Sequence, residues 1–110
     1  MISKTLQLSN NRIAHYFEQG TGEPLVLIHG VGMQAAAWYP QIEFFSKHYR
    51  VISVDMPGHG QSSKLADDAK LQDFVDWTIE FITALDIGAV NLAGHSMGSL
   101  ISTGVSVTRP

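Results

Sequence analysis

The sequence predicts an α/β fold with a mainly parallel sheet and helices on both faces. Three largely apolar runs, 25–29, 50–55 and 89–93, are typical of strands that are buried on both sides. Segments with apolar residues three and four positions apart lie between these runs, as helices do in βαβ units. With two alternating segments near the N-terminus, the predicted order is ββ followed by βαβαβα.

Composition favours one core-forming domain. The chain has 110 residues, 45% hydrophobic and 15% charged, and residues 1–110 are treated as one unit without a second domain. The net charge of −3 is spread over both signs, which argues against nucleic-acid or membrane partners. The chain has no cysteine, and its His, Asp and Glu residues show no metal-ligand spacing. Since no apolar run resembles a signal peptide or a membrane span, we expect a cytoplasmic location.

The N-terminal segments predict a hairpin. Residues 5–9 alternate like a half-exposed strand, and the asparagines at 10–11 favour a tight turn. Residues 12–18 predict the second strand. The glycines and the proline of 20–24 predict a loop that leads into the first buried strand.

Three helices are predicted between and after the buried strands. Residues 35–46 predict the first, with Pro40 tolerated only near its first turn. Residues 67–86 predict the second and clearest helix, with Gly88 as its stop. Its apolar positions are Leu71, Phe74, Val75, Thr78, Phe81, Ile82 and Leu85. The third helix begins at Met97 and ends by Pro110.

The third buried run leads directly into Gly-His-Ser-Met-Gly at 94–98. The pattern G-x-S-x-G between a strand and a helix predicts a nucleophile elbow. Ser96 must then occupy a strained turn, where side chains two residues before and after it would collide, and Gly94 and Gly98 remove them. The helix behind Ser96 would direct its unpaired N–H groups at an oxygen that becomes charged during acyl transfer.

Two further motifs follow the other buried runs. Residues 29–32 are His-Gly-Val-Gly, and residues 55–62 are Asp-Met-Pro-Gly-His-Gly-Gln-Ser. They resemble the H-G-x-G oxyanion loop and the D-x-P-G-x-G-x-S turn of α/β-hydrolases, and residues 94–98 resemble the elbow of that family. In order and context the whole chain is similar to the N-terminal part of an α/β-hydrolase. Ser99 stands where many relatives have another glycine.

The resemblance implies a role for each motif residue. Ser96 is expected to be the nucleophile, and the backbone N–H groups of Val31 and Met97 are expected to form the oxyanion hole. The resemblance implies a structural role for the remaining motif residues, which are His29, Gly30, Gly32, Asp55, Gly94 and Gly98. No cofactor and no metal are implied.

Most other polar residues have simpler interpretations. In the motif at 29–32, His29 resembles a histidine that holds its loop in place. In the motif at 55–62, Asp55 resembles an acid with the same role. The side chain of His95 is expected to diverge from Ser96. His59 is expected to be structural, with lining of the site as its alternative role. His15 is most simply a strand residue.

The chain carries only part of the expected catalytic machinery. In the family the triad runs Ser, acid, His along the chain, and the residues after Ser96 include no Asp, Glu or His. We therefore expect a truncated chain that is inactive in isolation, whose triad acid and histidine lie beyond residue 110. The strand at 89–93 would also lack a neighbour, so a homodimer or another association through the exposed sheet edge is expected.

The implied function is that of a serine hydrolase that attacks the carbonyl of a small-molecule ester, lactone or C–C substrate. A serine at the elbow argues against dehalogenase and epoxide-hydrolase chemistry, which uses a carboxylate nucleophile in similar proteins. One alternative is a dinucleotide-binding domain, because residues 30–35 fit G-x-G-x-x-A and Asp55 ends the next strand. That alternative leaves 55–62 and the elbow unexplained. Another is a non-catalytic fragment that self-associates.

Overall fold

Five strands form one mixed sheet in the computed structural model, which describes residues 1–109. They are β1 (Ile2–Gln7), β2 (Ile13–Gln19), β3 (Glu23–Ile28), β4 (Tyr49–Val54) and β5 (Asn91–Gly94). Their order across the sheet is β1-β2-β4-β3-β5. The three apolar runs form the parallel part, and β2 joins it antiparallel to β4, with β1 antiparallel to β2 at the edge. The prediction that all three runs are buried is wrong for β5, which has no buried residue because only one of its sides pairs with a described strand. The predicted α/β class is confirmed.

The hairpin turn uses the backbone conformation that its asparagines favour. Asn10 and Asn11 have φ of 59° and 57°, in the left-handed region where asparagine is enriched. The turn sets a register in which Ser3 lies opposite Phe17 and Thr5 lies opposite His15. Side chains on alternate residues share a face, so Ser3 and His15 lie on the same side of the hairpin.

Helices cover both faces of the sheet, as expected. They are α1 (Tyr39–Phe45), α2 (Leu71–Leu85) and α3 (Met97–Thr108). On one face Ile42 of α1 packs against Leu27 and Val51. On the other face α2 and α3 join a larger core, which includes Val26, Ile28, Ile52, Val54, Val75, Trp77, Phe81, Ile101 and Val105.

The first helix is shorter than predicted. Residues 35–46 divide into a 3-10 turn, Ala35–Trp38, and the α-helix that begins at Tyr39. Pro40 therefore stands in the first turn of α1, where an N–H has no intrahelical acceptor and its loss costs little. The expectation for the proline is met, and the expectation of one continuous α-helix is wrong.

The second helix differs from its predicted span at both ends. It begins at Leu71 and not at 67, because Lys70 is extended and donates its N–H to the Asp73 carboxylate at 2.7 Å. It ends at Leu85, and Asp86 takes the left-handed conformation with φ 54°. The chain thus leaves the helix two residues before Gly88, the predicted stop.

The three sequence motifs lie together at one edge of the sheet. Ile28 is in register with Val54 on one side and with Gly94 on the other, so parallel β3, β4 and β5 end side by side. β5 pairs only with β3 among the strands described, and its other side is unpaired. α3 ends at Thr108, and Pro110 lies outside the described residues. None of the helices within 1–109 has the length and apolar character needed to cross a membrane.

Candidate active site

Ser96 occupies the sharp junction between β5 and α3. Its φ is 59° and its ψ is −119°, a conformation that costs a residue other than glycine about 1–3 kcal/mol. The N–H of Ser99 donates to its carbonyl at 2.9 Å, so the α3 hydrogen-bond ladder starts at this residue. Met97 is the first helical residue, where N–H groups have no acceptor within a helix. The turn exposes Ser96 beside the N-terminus of α3.

The glycines of the elbow are required by close backbone approaches. A Cβ on Gly94 would overlap the backbone of Gly98 and come within 2.6 Å of the Ser99 nitrogen. This is the collision expected between the two flanking positions. A Cβ on Gly98 would instead overlap the backbone of Ile28 at the end of β3, and it would lie 2.8 Å from the His29 oxygen. Gly98 therefore lets α3 start directly against the strand that leads into the first motif.

The loop at 29–32 lies beside the elbow. A Cβ on Gly30 would be 3.1 Å from the Ser96 Cβ, so the two loops touch at this glycine. The chain then turns, with the N–H of Met33 donating to the Gly30 carbonyl at 3.2 Å and Gly32 at φ 78°. Val31 is exposed in this turn. The loop therefore brings the residue predicted to hold an oxyanion next to the predicted nucleophile.

His29 connects two of the motifs from within the core. Its Nδ1 donates to the Gly30 carbonyl at 2.8 Å, and its Nε2 accepts the N–H of Met56 at 2.9 Å. Burial lowers the pKa of His29, and this outweighs the Gly30 bond, which raises it. The neutral ring is the form that this geometry needs, because a protonated Nε2 could not accept from Met56. Both ring nitrogens are thus engaged in holding loops.

His59 forms a second connection between the same loops. Its Nδ1 donates to the Pro57 carbonyl at 3.0 Å, and its Nε2 accepts the N–H of Gly32 at 3.2 Å. Its ring centroid is 5.0 Å from that of His29. No local pattern in the sequence predicts this bond, because its two partners lie 27 positions apart.

Asp55 is buried, with 2% of its surface exposed, and accepts hydrogen bonds through both oxygens. Oδ1 accepts the N–H of Ala35 at 2.7 Å. Oδ2 accepts the N–H of Gln61 at 3.1 Å and bonds His15 Nδ1 at 2.7 Å. A Cβ on Gly60 would overlap this carboxylate. These bonds leave no oxygen directed at a ribose, so the geometry does not fit the dinucleotide alternative.

Within 1–109 no histidine or carboxylate is hydrogen-bonded to the hydroxyl of Ser96, and no three His, Asp or Glu side chains are placed to hold a metal ion. His15 was expected to be a simple strand residue. It instead joins Asp55 to the Ser3 hydroxyl, 2.6 Å from its Nε2.

Comparison with known proteins agrees with this geometry. A family model described as alpha/beta hydrolase fold matches residues 23–106, which include all three motifs. The chain belongs to the alpha/beta hydrolase fold family. The predicted resemblance is therefore confirmed.

Particular relatives of this alpha/beta hydrolase chain include an (E)-2-((N-methylformamido)methylene)succinate hydrolase from Acinetobacter baylyi. The two are 84% identical over 110 residues, all of this chain and 42% of that protein. A 2-hydroxy-6-oxo-6-(2'-aminophenyl)hexa-2,4-dienoic acid hydrolase from Metapseudomonas resinovorans is 38% identical over 100 residues, 84% of this chain and 33% of its own. The chain thus spans well under half the length of these curated relatives.

A solved epoxide hydrolase from Vigna radiata superposes on the alpha/beta hydrolase chain with a TM-score of 0.91. The match covers 99% of this chain and 36% of the other, at 24% identity. At that identity the likeness establishes the fold alone.

Proposed function

We propose that the chain carries the nucleophile and the oxyanion hole of a serine hydrolase that acts on small molecules. The observation that carries this proposal is the conformation of Ser96: a strained, exposed serine at the β5–α3 junction, in contact with Gly30 of the neighbouring loop. Strain of this kind persists where surrounding structure enforces it, as the backbone contacts of Gly94 and Gly98 do here. Family membership supports hydrolysis as the reaction class.

The proposed reaction is acyl transfer. The Oγ of Ser96 bonds to the substrate carbonyl carbon, and the carbonyl oxygen takes up the negative charge. The N–H groups of Val31 and Met97 hold that oxygen, since donors fixed in advance stabilise a developing charge. The proton of Ser96 passes to a histidine, oriented by an acid, outside residues 1–110. The bond between the carbonyl carbon and the leaving group then breaks, and the leaving group takes the proton from the histidine, which leaves an acyl-enzyme. Water next gives a proton to the histidine and bonds to the acyl carbon, and the Oγ–C bond breaks as Oγ regains that proton.

The substrate is a small carbonyl compound with carboxylate groups. The 84%-identical relative is named for hydrolysis of (E)-2-((N-methylformamido)methylene)succinate, and identity at this level supports a substrate of the same kind. The match covers less than half of that relative. This compound and simple activated esters are therefore both proposed as first substrates.

The test compares Ser96 with Ser99 of α3 in the product of the intact gene. Ser96→Ala should lower kcat/KM by at least about 10³-fold, because loss of the nucleophile removes the acyl-enzyme route. Ser99→Ala, a matched change three residues along, should keep activity near that of the parent. Circular dichroism checks that both variants are folded. Retained activity in Ser96→Ala would refute the nucleophile assignment.

We also propose that the isolated 110-residue chain is nearly inactive and self-associates. β5 has one unpaired side within the described sheet. Beside it the ends of α2 and α3 line a groove of about 830 Å³, which includes Ile82, Val90, Leu92 and Val105. An unpaired edge next to apolar surface favours pairing with a second copy.

A further inference from the structure

A second serine, remote from the elbow in the sequence, is hydrogen-bonded to a histidine that is itself hydrogen-bonded to a carboxylate. The Oγ of Ser3 on β1 lies 2.6 Å from Nε2 of His15 on β2. The Nδ1 of the same ring lies 2.7 Å from Oδ2 of Asp55, just after β4. The three side chains form one continuous chain of hydrogen bonds across three neighbouring strands.

The direction of these bonds follows from the partners. A buried carboxylate that already accepts two backbone N–H groups is an acceptor, so Nδ1 of His15 carries the proton and donates to Asp55. In the neutral ring Nε2 then carries the lone pair, and the Ser3 hydroxyl donates to it. This is the tautomer that a general base beside a serine requires.

The three residues differ in how far they are buried. His15 is 1% exposed and Asp55 is 2% exposed, whereas Ser3 is exposed on the edge strand. The ring of His15 is held further by Phe17, whose centroid is 4.9 Å away in an edge-on arrangement. The backbone N–H of His15 donates to Ser62 Oγ at 2.9 Å. The base and its orienting acid are therefore fixed, and of the three residues only Ser3 is exposed.

We propose that Ser3 is a second activated serine, which takes acyl or phosphonyl groups from small activated electrophiles with His15 as general base. With a fluorophosphonate, Oγ of Ser3 bonds to phosphorus, the P–F bond breaks, fluoride leaves, and His15 Nε2 takes the hydroxyl proton. With an activated ester, the Oγ–C bond forms, the bond to the leaving oxygen breaks, and that oxygen takes the proton from His15. Asp55 is a positioning residue in both cases.

The surroundings of Ser3 suit a small apolar group. Phe17 lies opposite Ser3 in the strand register and is partly buried, so it offers an apolar surface beside the hydroxyl. β1 is an edge strand, and alternate residues of an antiparallel edge turn their N–H groups away from the sheet. Either Ser3 or both of its neighbours, Ile2 and Lys4, therefore have an N–H group that points away from the sheet.

This inference does not rest on the proposed function of Ser96, and the experiment separates the two. The Ser96→Ala variant of the intact gene product, with any purification tag at the C-terminus, is treated with a fluorophosphonate probe. Peptide mass spectrometry then gives the labelling rate at Ser3 and at Ser106, an exposed serine of α3 that serves as the internal reference. Ser3→Ala in the same background removes the acceptor, and His15→Gln removes the base.

General-base assistance contributes about 10²–10⁴-fold, so Ser3 should react about 10²-fold faster than Ser106. That preference should disappear in urea, where the side chains separate, and in His15→Gln if that variant is folded. If the labelling rate of Ser3 in the folded protein is less than about ten times that of Ser106, the Ser3–His15 hydrogen bond is purely structural and the proposal is overturned. The urea comparison keeps the test decisive even if His15→Gln fails to fold.

Discussion

Mild acid should weaken the contact between the motifs at 29–32 and 55–62, because His29 connects them. The ring is fully buried, accepts the N–H of Met56 and donates to the Gly30 carbonyl. Burial lowers the pKa of His29 below its ordinary value of 6.5. A protonated ring would lose the Met56 bond and place a positive charge in the core.

The sign of the pH effect follows from the two states. The unfolded chain takes up a proton on residue 29 near pH 6.5, and the folded chain does so only at lower pH. The unfolded state thus binds more protons below that value, so the free energy of unfolding falls as pH falls. For one group the loss between about pH 7.5 and about pH 5.5 is at most about 1.4 kcal/mol. Glu18, whose pKa the Arg50 hydrogen bond lowers from 4.5, acts below this range.

Urea unfolding, followed by tryptophan fluorescence at these two pH values, measures the loss. The parent and His48→Gln, a change at an exposed histidine, should show the same decrease. His29→Gln, which cannot take up a proton, should be less stable at neutral pH and should show a smaller decrease. An equal decrease in His29→Gln and the parent would refute the assignment of the pH effect to this residue.

Three further changes test other parts of the structure. Gly98→Ala should lower the free energy of unfolding by about 1–3 kcal/mol in urea unfolding, because the methyl group overlaps the end of β3; an unchanged midpoint would contradict the close approach. Asp55→Asn should lower the free energy of unfolding by about 1–3 kcal/mol in the same assay, because an amide cannot accept from all three donors. The control Asp67→Asn, at a side chain that is 99% exposed, should change that free energy little. Light scattering of the 110-residue chain at micromolar concentration should show association, and Ala89→Lys at the rim of the groove should weaken it; a stable parent monomer would contradict the edge argument.

The order and type of the elements followed from local patterns. The three parallel strands are recognisable as apolar runs, and their common direction follows from the helices that connect them. That direction places the motifs at 29–32, 55–62 and 94–98 side by side at the strand ends, as observed. The burial expected of the third run is not observed, because no residue of β5 is buried. Predictions failed where a single local interaction decides the start of a helix, as the Lys70–Asp73 bond does for α2.

The long-range side-chain bonds could not be predicted. His59 meets Gly32, 27 positions away, and His15 meets Asp55, 40 positions away. Such contacts depend on strand order and on register within about one residue, which no local periodicity specifies. His15 and Ser3 illustrate this limit, because each is an ordinary residue in its own strand.

The position of the loop at 29–32, the proposed oxyanion loop, depends in part on acceptors that lie outside it. The N–H groups of Gly32 and Ala35 reach His59 and Asp55, both in the motif that follows β4. Neither bond belongs to a helix or to the sheet, so the loop takes its place from the side chains of a neighbouring strand end. Because Val31 precedes Gly32, we expect a change that displaces His59 to shift the N–H that Val31 would offer to an oxyanion. The motif at 55–62 therefore contributes to the proposed chemistry by positioning the neighbouring loop. None of its side chains needs to touch the substrate for that contribution.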